Sequence, residues 1–186
     1  MDYSQFLMMP QELGLLLVFL LVFLYDTFMP KKAQTALPAF TTLVFALYTI
    51  FSFMPVAPGT AFSGMLETNG ATWAMKGILN IGTFIVLLQS IKWTNSDFVS
   101  VRRGEFYELL LLTLFGMFLM ISGRHFLLFV IGLETASLPL AALAAFEKNH
   151  YESHEAAAKY GLTAVFSSAV LLFGISLVYG LSGSLY

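Results

Sequence analysis

Long apolar segments separated by short polar connectors run through most of the chain. Six of these segments approach the roughly 20 apolar residues that a transmembrane helix needs. They are Glu12–Phe28, Leu37–Met54, Trp73–Lys92, Glu105–Ile121, His125–Phe146 and Glu155–Tyr179. The segment between the second and third, residues 55–72, is rich in glycine and proline and predicts a loop. The pattern predicts an all-α, polytopic membrane protein with six transmembrane helices.

The composition supports a membrane protein and excludes several kinds of chemistry. Of the 186 residues, 58% are hydrophobic and 11% charged, whereas soluble domains carry about 25% charged residues. The chain has no cysteine, which excludes disulfides, thiolate-bound zinc and cysteine-held iron–sulfur clusters. A net charge of −2 argues against a nucleic-acid partner. Since no phosphate-binding glycine motif is present, we expect no cofactor in this chain.

The fifth segment carries a lone carboxylate, Glu134, near its middle. An acid at bilayer depth costs about 2.5 kcal/mol or more, so it usually faces a bundle interior or a water-filled cavity. Pro139 lies five residues on and leaves the carbonyl of Thr135 without its helical donor. Ser137 lies one turn from Glu134 and is expected to hydrogen-bond to it. Glu134 is therefore a candidate proton-carrying group, with a structural hydrogen bond to a neighbouring helix as the alternative.

A second charged feature opens the sixth segment. Glu155 precedes Lys159 by four residues, the favourable order for a helical ion pair. The pair predicts a relay for protons, but the ammonium group of Lys159 can also simply reach the membrane surface. The opposite face carries the small residues Ala157, Gly161, Ala164 and Ser168 and is expected to contact another helix closely.

The remaining polar residues of the apolar segments suggest structural roles. Glu12 and Asp26 are expected at the two membrane edges of the first helix. Lys76 is predicted to be an interfacial anchor at one end of the third helix. Asn80, one turn further on, favours an interhelical hydrogen bond.

Two histidines, His150 and His154, fall in the connector before the sixth helix. Their spacing suits two ligands on one helix, but no third ligand cluster accompanies them. We therefore expect no metal site and assign both to the loop.

Basic residues set the predicted orientation, because cytoplasmic loops carry an excess of lysine and arginine. An external N-terminus leaves only Lys76 and Arg124 outside. The other connectors then hold Lys31, Lys32, Lys92, Arg102, Arg103 and Lys148 on the inner side. Both ends of the chain are thus expected on the periplasmic side.

Several stretches together resemble one known family. They are PQELGLLLVFLLVFLYDTF at the first helix, RRGEFYELLLLTLFGMFLMIS at the fourth, VIGLETASLPLAALAAF at the fifth and SHEAAAKYGLTAVFSSAVLLFGISLVYGLSGS at the sixth. They are similar to the N subunits of proton-pumping NADH–quinone oxidoreductases, the respiratory complex I. The resemblance spans almost the whole chain and is weakest in residues 55–72.

The resemblance implies an antiporter-like membrane subunit of the bacterial inner membrane that translocates protons without redox chemistry of its own. Glu134 matches the essential glutamate of the family's fifth helix, and Glu155 and Lys159 match the acid and lysine that open its sixth. NADH and quinone would bind to other subunits, which would be partners together with the lipid bilayer.

The resemblance further implies that the chain corresponds to an N-terminal portion. Residues 1–95 would be three leading helices, and residues 96–186 the first three helices of the first antiporter-like repeat. The family's lysine partner of the fifth-helix glutamate lies on a later helix, beyond this sequence. Two alternatives stay open: a subunit of a cation/proton antiporter or membrane-bound hydrogenase, and a scaffold that only packs against partner helices.

Overall fold

The computed structural model describes residues 3–30, 33–96, 99–148 and 150–186. Six of its helices are long and apolar enough to cross a membrane, which confirms the prediction of an all-α, six-span protein. The helices are α1 (Pro10–Phe28), α2 (Leu37–Ser52), α3 (Gly70–Thr94), α4 (Arg103–Ser122), α5 (Phe126–Ala144) and α6 (Tyr151–Ser182). Short 3-10 turns at Tyr3–Met8, Ala33–Ala36 and Ser100–Arg102 lead into α1, α2 and α4.

Local capping explains where the helices begin. Asn69 accepts a hydrogen bond from the Thr72 amide, and the Thr72 hydroxyl accepts one from the Asn69 amide. This reciprocal capping box satisfies two amides that a helix start leaves unpaired, so α3 begins three residues before the predicted Trp73. Pro10 and Pro38 occupy first-turn positions of α1 and α2, where the missing amide costs nothing.

The segment predicted as a loop contains a small hairpin. Strands β1 (Gly59–Ala61) and β2 (Leu66–Thr68) pair antiparallel, with Gly59 opposite Thr68. Phe62, Ser63 and Gly64 all adopt positive φ at the turn, and only the glycine does so without steric cost. The Thr68 hydroxyl donates to the Met8 carbonyl (2.9 Å), so the hairpin packs beside the entry to α1.

Helix α4 is the centre of the bundle and contacts α1, α2, α3 and α5. The core between these helices contains fully buried large side chains, including Leu15, Phe45, Tyr107, Leu111 and Phe118. Apolar side chains also cover the outer faces, as expected where lipid rather than water surrounds the helices.

Two glycines let α4 and α5 approach closely. A Cβ atom added to Gly132 would lie 2.8 Å from the Gly116 carbonyl oxygen and 2.8 Å from the Met120 amide nitrogen. A Cβ at Gly116 would collide with the backbone around Ala136. This contact fixes the helix that carries Glu134 against the central helix.

Helix α6 packs on the outside of α5. Its covered side includes Ala157, Gly161, Ala164 and Ser168, whereas most of its other side chains are exposed. The small-residue face predicted from the sequence is therefore the covered face, but it makes no close approach at Gly161, where an added Cβ would meet nothing within 4 Å. Beyond Ser182 the chain returns to the start of α5, where the Leu185 carbonyl accepts from the Phe126 amide (2.9 Å).

Candidate functional site: an intramembrane carboxylate

Glu134 lies near the middle of α5, one turn before Pro139. Its side chain faces a cavity of about 430 Å³ together with Pro139. The rest of the lining comes from α4 and α5: Leu109, Leu112, Thr135, Leu138 and Ala142. Glu134 is the only ionisable residue among these seven lining residues. The residues that line this cavity with Glu134 are therefore almost all apolar.

The Glu134 carboxylate makes no hydrogen bond or ion pair with any residue that the structure describes. The sequence predicted a bond from Ser137, and this prediction is wrong for the carboxyl group. The Ser137 hydroxyl reaches only the backbone carbonyl of Glu134, at 3.5 Å. Serine in a helix commonly bonds to a carbonyl of the preceding turn, and here that geometry turns it away from the acid. Thr135 likewise donates to the Ile131 carbonyl (2.7 Å).

Glu155 and Lys159 form the predicted helical pair. The Lys159 ammonium lies 2.5 Å from the Glu155 carboxylate, with side chains 74% and 47% exposed. The pair sits in the first turns of α6 and makes no ion pair with Glu134. The Lys159 carbonyl accepts from the Thr163 hydroxyl (2.8 Å). The structure therefore leaves the two sequence-predicted charged features separate.

The structure contains a buried ion pair that the sequence did not predict. The Lys76 ammonium lies 2.6 Å from the Glu12 carboxylate, and both side chains are 1% exposed. The Ser122 hydroxyl donates to the same carboxylate oxygen at 2.7 Å. Lys76 also lies 5.6 Å from the centre of the Phe118 ring, within the range of a cation–π contact. Glu12 lies in the first turn of α1. Lys76 is buried against it and does not reach the surface, so the expectation that Lys76 is an interfacial anchor is wrong.

A polar network continues from this pair along α3 to the end of α2. Asn80, one turn from Lys76, donates to the Ser52 hydroxyl (2.9 Å), which confirms its predicted interhelical bond. The Ser52 carbonyl accepts from the side-chain Nε2 of Gln11 (2.9 Å) and from the Trp73 indole (3.1 Å). These bonds tie α1, α2 and α3 together.

A signal for the Glu12–Lys76 pair was present in the sequence. Both residues lie near the N-terminal ends of odd-numbered spans, and such ends reach the same membrane face in an alternating bundle. Opposite charges at the same depth are strong candidates for pairing, because an unpaired buried charge is costly. Hydropathy does not show which helices face each other in the bundle. Only the structure shows that Glu12 of α1 meets Lys76 of α3.

Other polar predictions have mixed outcomes. Asp26 at the end of α1 lies against Gly104, so a Cβ at Gly104 would collide with its carboxyl group. Lys31 and Lys32, predicted in an inner connector, lie outside the described residues. His154 was assigned to the loop but lies within α6, and its ring nitrogen is 2.8 Å from the Lys148 carbonyl oxygen. The described residues contain no group of three or more potential metal ligands.

These features define a class: a multi-pass membrane protein with a carboxylate midway along a membrane-spanning helix. Residues 123–186 match the family described as NADH:quinone oxidoreductase/Mrp antiporter, TM. The whole chain is 46% identical to NADH-quinone oxidoreductase subunit N of Azobacteroides pseudotrichonymphae and 41% identical to that of Phocaeicola vulgatus. It spans 39% of the length of each of these two proteins.

A solved structure also has a fold similar to that of this chain. The chain superposes on a subunit of respiratory complex I from Thermus thermophilus with bound aureothin, with a TM-score of 0.74 and 28% identity. The match covers 94% of this chain and 38% of that one. The chain therefore belongs to the family of NADH–quinone oxidoreductase N subunits, as the sequence resemblance indicated.

Proposed function

We propose that the chain takes part in proton translocation coupled to quinone reduction, as a non-redox membrane subunit of an NADH–quinone oxidoreductase. NADH and quinone would bind to other subunits, and this chain would hold no cofactor. In this proposal residues 1–95 supply three leading helices, and residues 96–186 begin an antiporter-like repeat. Family membership supports the class of activity.

The observation that carries the proposal is the state of the Glu134 carboxylate. It has no partner among the described residues and borders an apolar cavity at mid-helix. An apolar surrounding disfavours the charged form of a carboxyl group, whereas a nearby cation favours it. A cation that approaches and leaves this cavity would therefore switch Glu134 between its ionised and protonated forms.

Glu155 and Lys159 would act as a relay at the other end of the pathway. Both side chains are open to the surroundings of the bundle, and their contact at 2.5 Å holds them together. Thr163 continues the same face of α6 by one further turn. We assign this pair to the side from which protons enter.

The test is Glu134→Gln in the complex that contains this chain, reconstituted into sealed vesicles. Glutamine keeps the size and polarity of the side chain but cannot carry the proton. We expect NADH-driven proton uptake to be abolished or strongly reduced. A matched control is Glu67→Gln, which removes a carboxylate from the hairpin outside the helices. A normal ratio of protons to electrons in Glu134→Gln would overturn the proposal.

We also propose an inner-membrane location with the N-terminus on the periplasmic side. The basic connectors support it, because lysine and arginine collect on the side opposite to the start of α1. Among described residues these include Lys92, Arg102 and Lys148. A cysteine placed at Lys148 would then react with a membrane-impermeant maleimide only from the inside, and the natural chain has no cysteine to compete.

A subunit of a cation/proton antiporter is the second candidate, because the matching family description also includes Mrp antiporters. Co-purification distinguishes the two. NADH–quinone reductase activity in the purified assembly supports the first, whereas sodium–proton exchange without that activity supports the second.

A further inference from the structure

A second cavity of about 430 Å³ lies where α3 and α5 end and α4 begins. Its walls come from three chain segments that meet at one face of the bundle. The lining residues are Trp93 in the last turn of α3 and Ser96 after it, Val99, Val101 and Arg102 before α4, and Phe146, Glu147, Lys148 and His150 after α5. The cavity is separate from the one that Glu134 borders.

The cavity carries two cationic side chains without an acidic partner. Among the described residues, no carboxylate forms an ion pair with Arg102 or Lys148. Glu147, the one acid among the described lining residues, lies 3.9 Å from the ring of His150. Because Arg102 and Lys148 outnumber this acid, an anion that enters the cavity would meet a net positive charge from the described lining.

Packed aromatic rings make one wall rigid. The rings of Trp93, Phe106 and Phe146 lie 5.2 to 5.8 Å apart in edge-on or tilted pairs, a favourable geometry for aromatic contacts. Val101 is 86% exposed at the rim. The cavity is thus cationic on one side and apolar on the other, at the level where the spanning helices end.

We propose that this cavity binds the phosphate headgroup of an anionic phospholipid. Arg102 and Lys148 would contact the phosphate, since arginine offers paired donors to phosphate oxygens. The aromatic wall and Val101 would contact the glycerol and upper acyl region. Basic pockets on the cytoplasmic side of membrane helices suit anionic headgroups, and this cavity lies on the face where the basic residues collect.

The first experiment uses the complex that contains this chain, in vesicles of phosphatidylcholine with a trace of photoreactive phosphatidylglycerol. Cross-linked peptides are located by mass spectrometry. We expect labels in the described segments that line the cavity, residues 93–96, 99–102 and 146–148, and at His150. Unlabelled phosphatidylglycerol should compete for the site, whereas phosphatidylcholine should not. Competition by millimolar inorganic phosphate as effective as that by the lipid would overturn the proposal in favour of a free-anion site.

Variants test the two cations. Arg102→Gln and Lys148→Gln should each weaken labelling by about fivefold, because a basic residue that attracts an anionic headgroup contributes about 1 kcal/mol, which is a factor of about five at 25 °C. Arg102→Lys keeps the charge at the start of α4 and should retain most of the labelling. Lys92→Gln removes a neighbouring basic residue that does not line the cavity and should have no effect.

Two results would contradict the proposal. Equal losses in Lys92→Gln and Lys148→Gln would mean that the membrane surface charge, not the cavity, attracts the lipid. Labels that appear only on a neighbouring subunit would mean that a protein segment covers the cavity. Neither result would affect the proton-translocation proposal, because that proposal is tested with Glu134→Gln.

Discussion

Glu12 and Glu134 are both acids within apolar helices, yet their surroundings differ completely. Glu12 shares one carboxylate oxygen between the Lys76 ammonium and the Ser122 hydroxyl. Glu134 has neither a cation nor a hydroxyl among the described residues. A carboxylate held in an ion pair suits a structural role, whereas the lack of a partner at Glu134 supports the role in proton transfer that we propose for it.

Removing one partner of the buried pair should be costly. Lys76→Met leaves Glu12 charged and unpaired, and breaking a buried pair in this way typically costs about 3–5 kcal/mol. The double variant Glu12→Gln, Lys76→Met removes both charges and should recover most of that loss. Reversible unfolding of the purified chain in detergent measures the difference.

The exposed pair Arg124–Glu67 provides the control. Its side chains are 58% and 33% exposed, so Arg124→Gln should change the free energy of unfolding by less than about 1 kcal/mol. If the single variant Lys76→Met is as stable as the double variant, leaving Glu12 without its cation costs no free energy of unfolding. That result would contradict the prediction.

Lys159 allows a functional prediction at the same scale. If it relays protons, Lys159→Gln should slow proton translocation by the intact complex while NADH oxidation by an uncoupled preparation stays near normal. Lys92→Gln is the matched control, because it removes a lysine from the end of α3. Equal translocation rates in the two variants would assign Lys159 to a surface role.

At the scale of single elements, α4 and α5 approach each other backbone to backbone. Gly116 and Gly132 face each other without side chains, so the two backbones meet. Small residues at such interfaces allow close packing where no hydrophobic force drives helices together in lipid. This contact positions α5, and with it the Glu134 cavity.

Gly132→Val should therefore destabilise the bundle by about 1–3 kcal/mol or more, as overpacking does. Gly82→Val is the matched control, since a Cβ at Gly82 in α3 would meet nothing within 4 Å. The fraction of folded chain after membrane extraction measures both. A Gly132→Val chain that folds as well as Gly82→Val would mean that α4 and α5 can separate without penalty.

At the scale of the whole molecule, burial is distributed unevenly among the helices. In the most apolar windows of the spans, 44% of residues are buried for α4 but only 6% for α6. Helix α6 contacts α5 through its small-residue face and is otherwise exposed.

Forced unfolding should reveal this difference. When the chain is pulled from its two ends in a bilayer, α6 should detach first and at lower force than the α4–α5 pair. Single-molecule extension measures the length released in each step. A first step that releases α1 instead would contradict the assigned order of stability.

Apolar length and charge spacing are local properties, so the sequence alone determined the six spans, the mid-helix position of Glu134, the Glu155–Lys159 pair and the contacting face of α6. Lateral neighbours are not local. Only the tertiary structure decided that Glu12 of α1 and Lys76 of α3 meet, which buries Lys76 and removes it from the surface.

The hairpin and the two cavities also depend on contacts between separate segments, so the sequence alone did not predict them. Strand pairing within residues 59–68 is too short to leave a periodic signal, and it is stabilised by contacts with the segment before α1. Each cavity forms where separate segments leave space between them. Hydropathy gives the order of helices along the chain, whereas side-chain packing decides which helices meet and what lies between them.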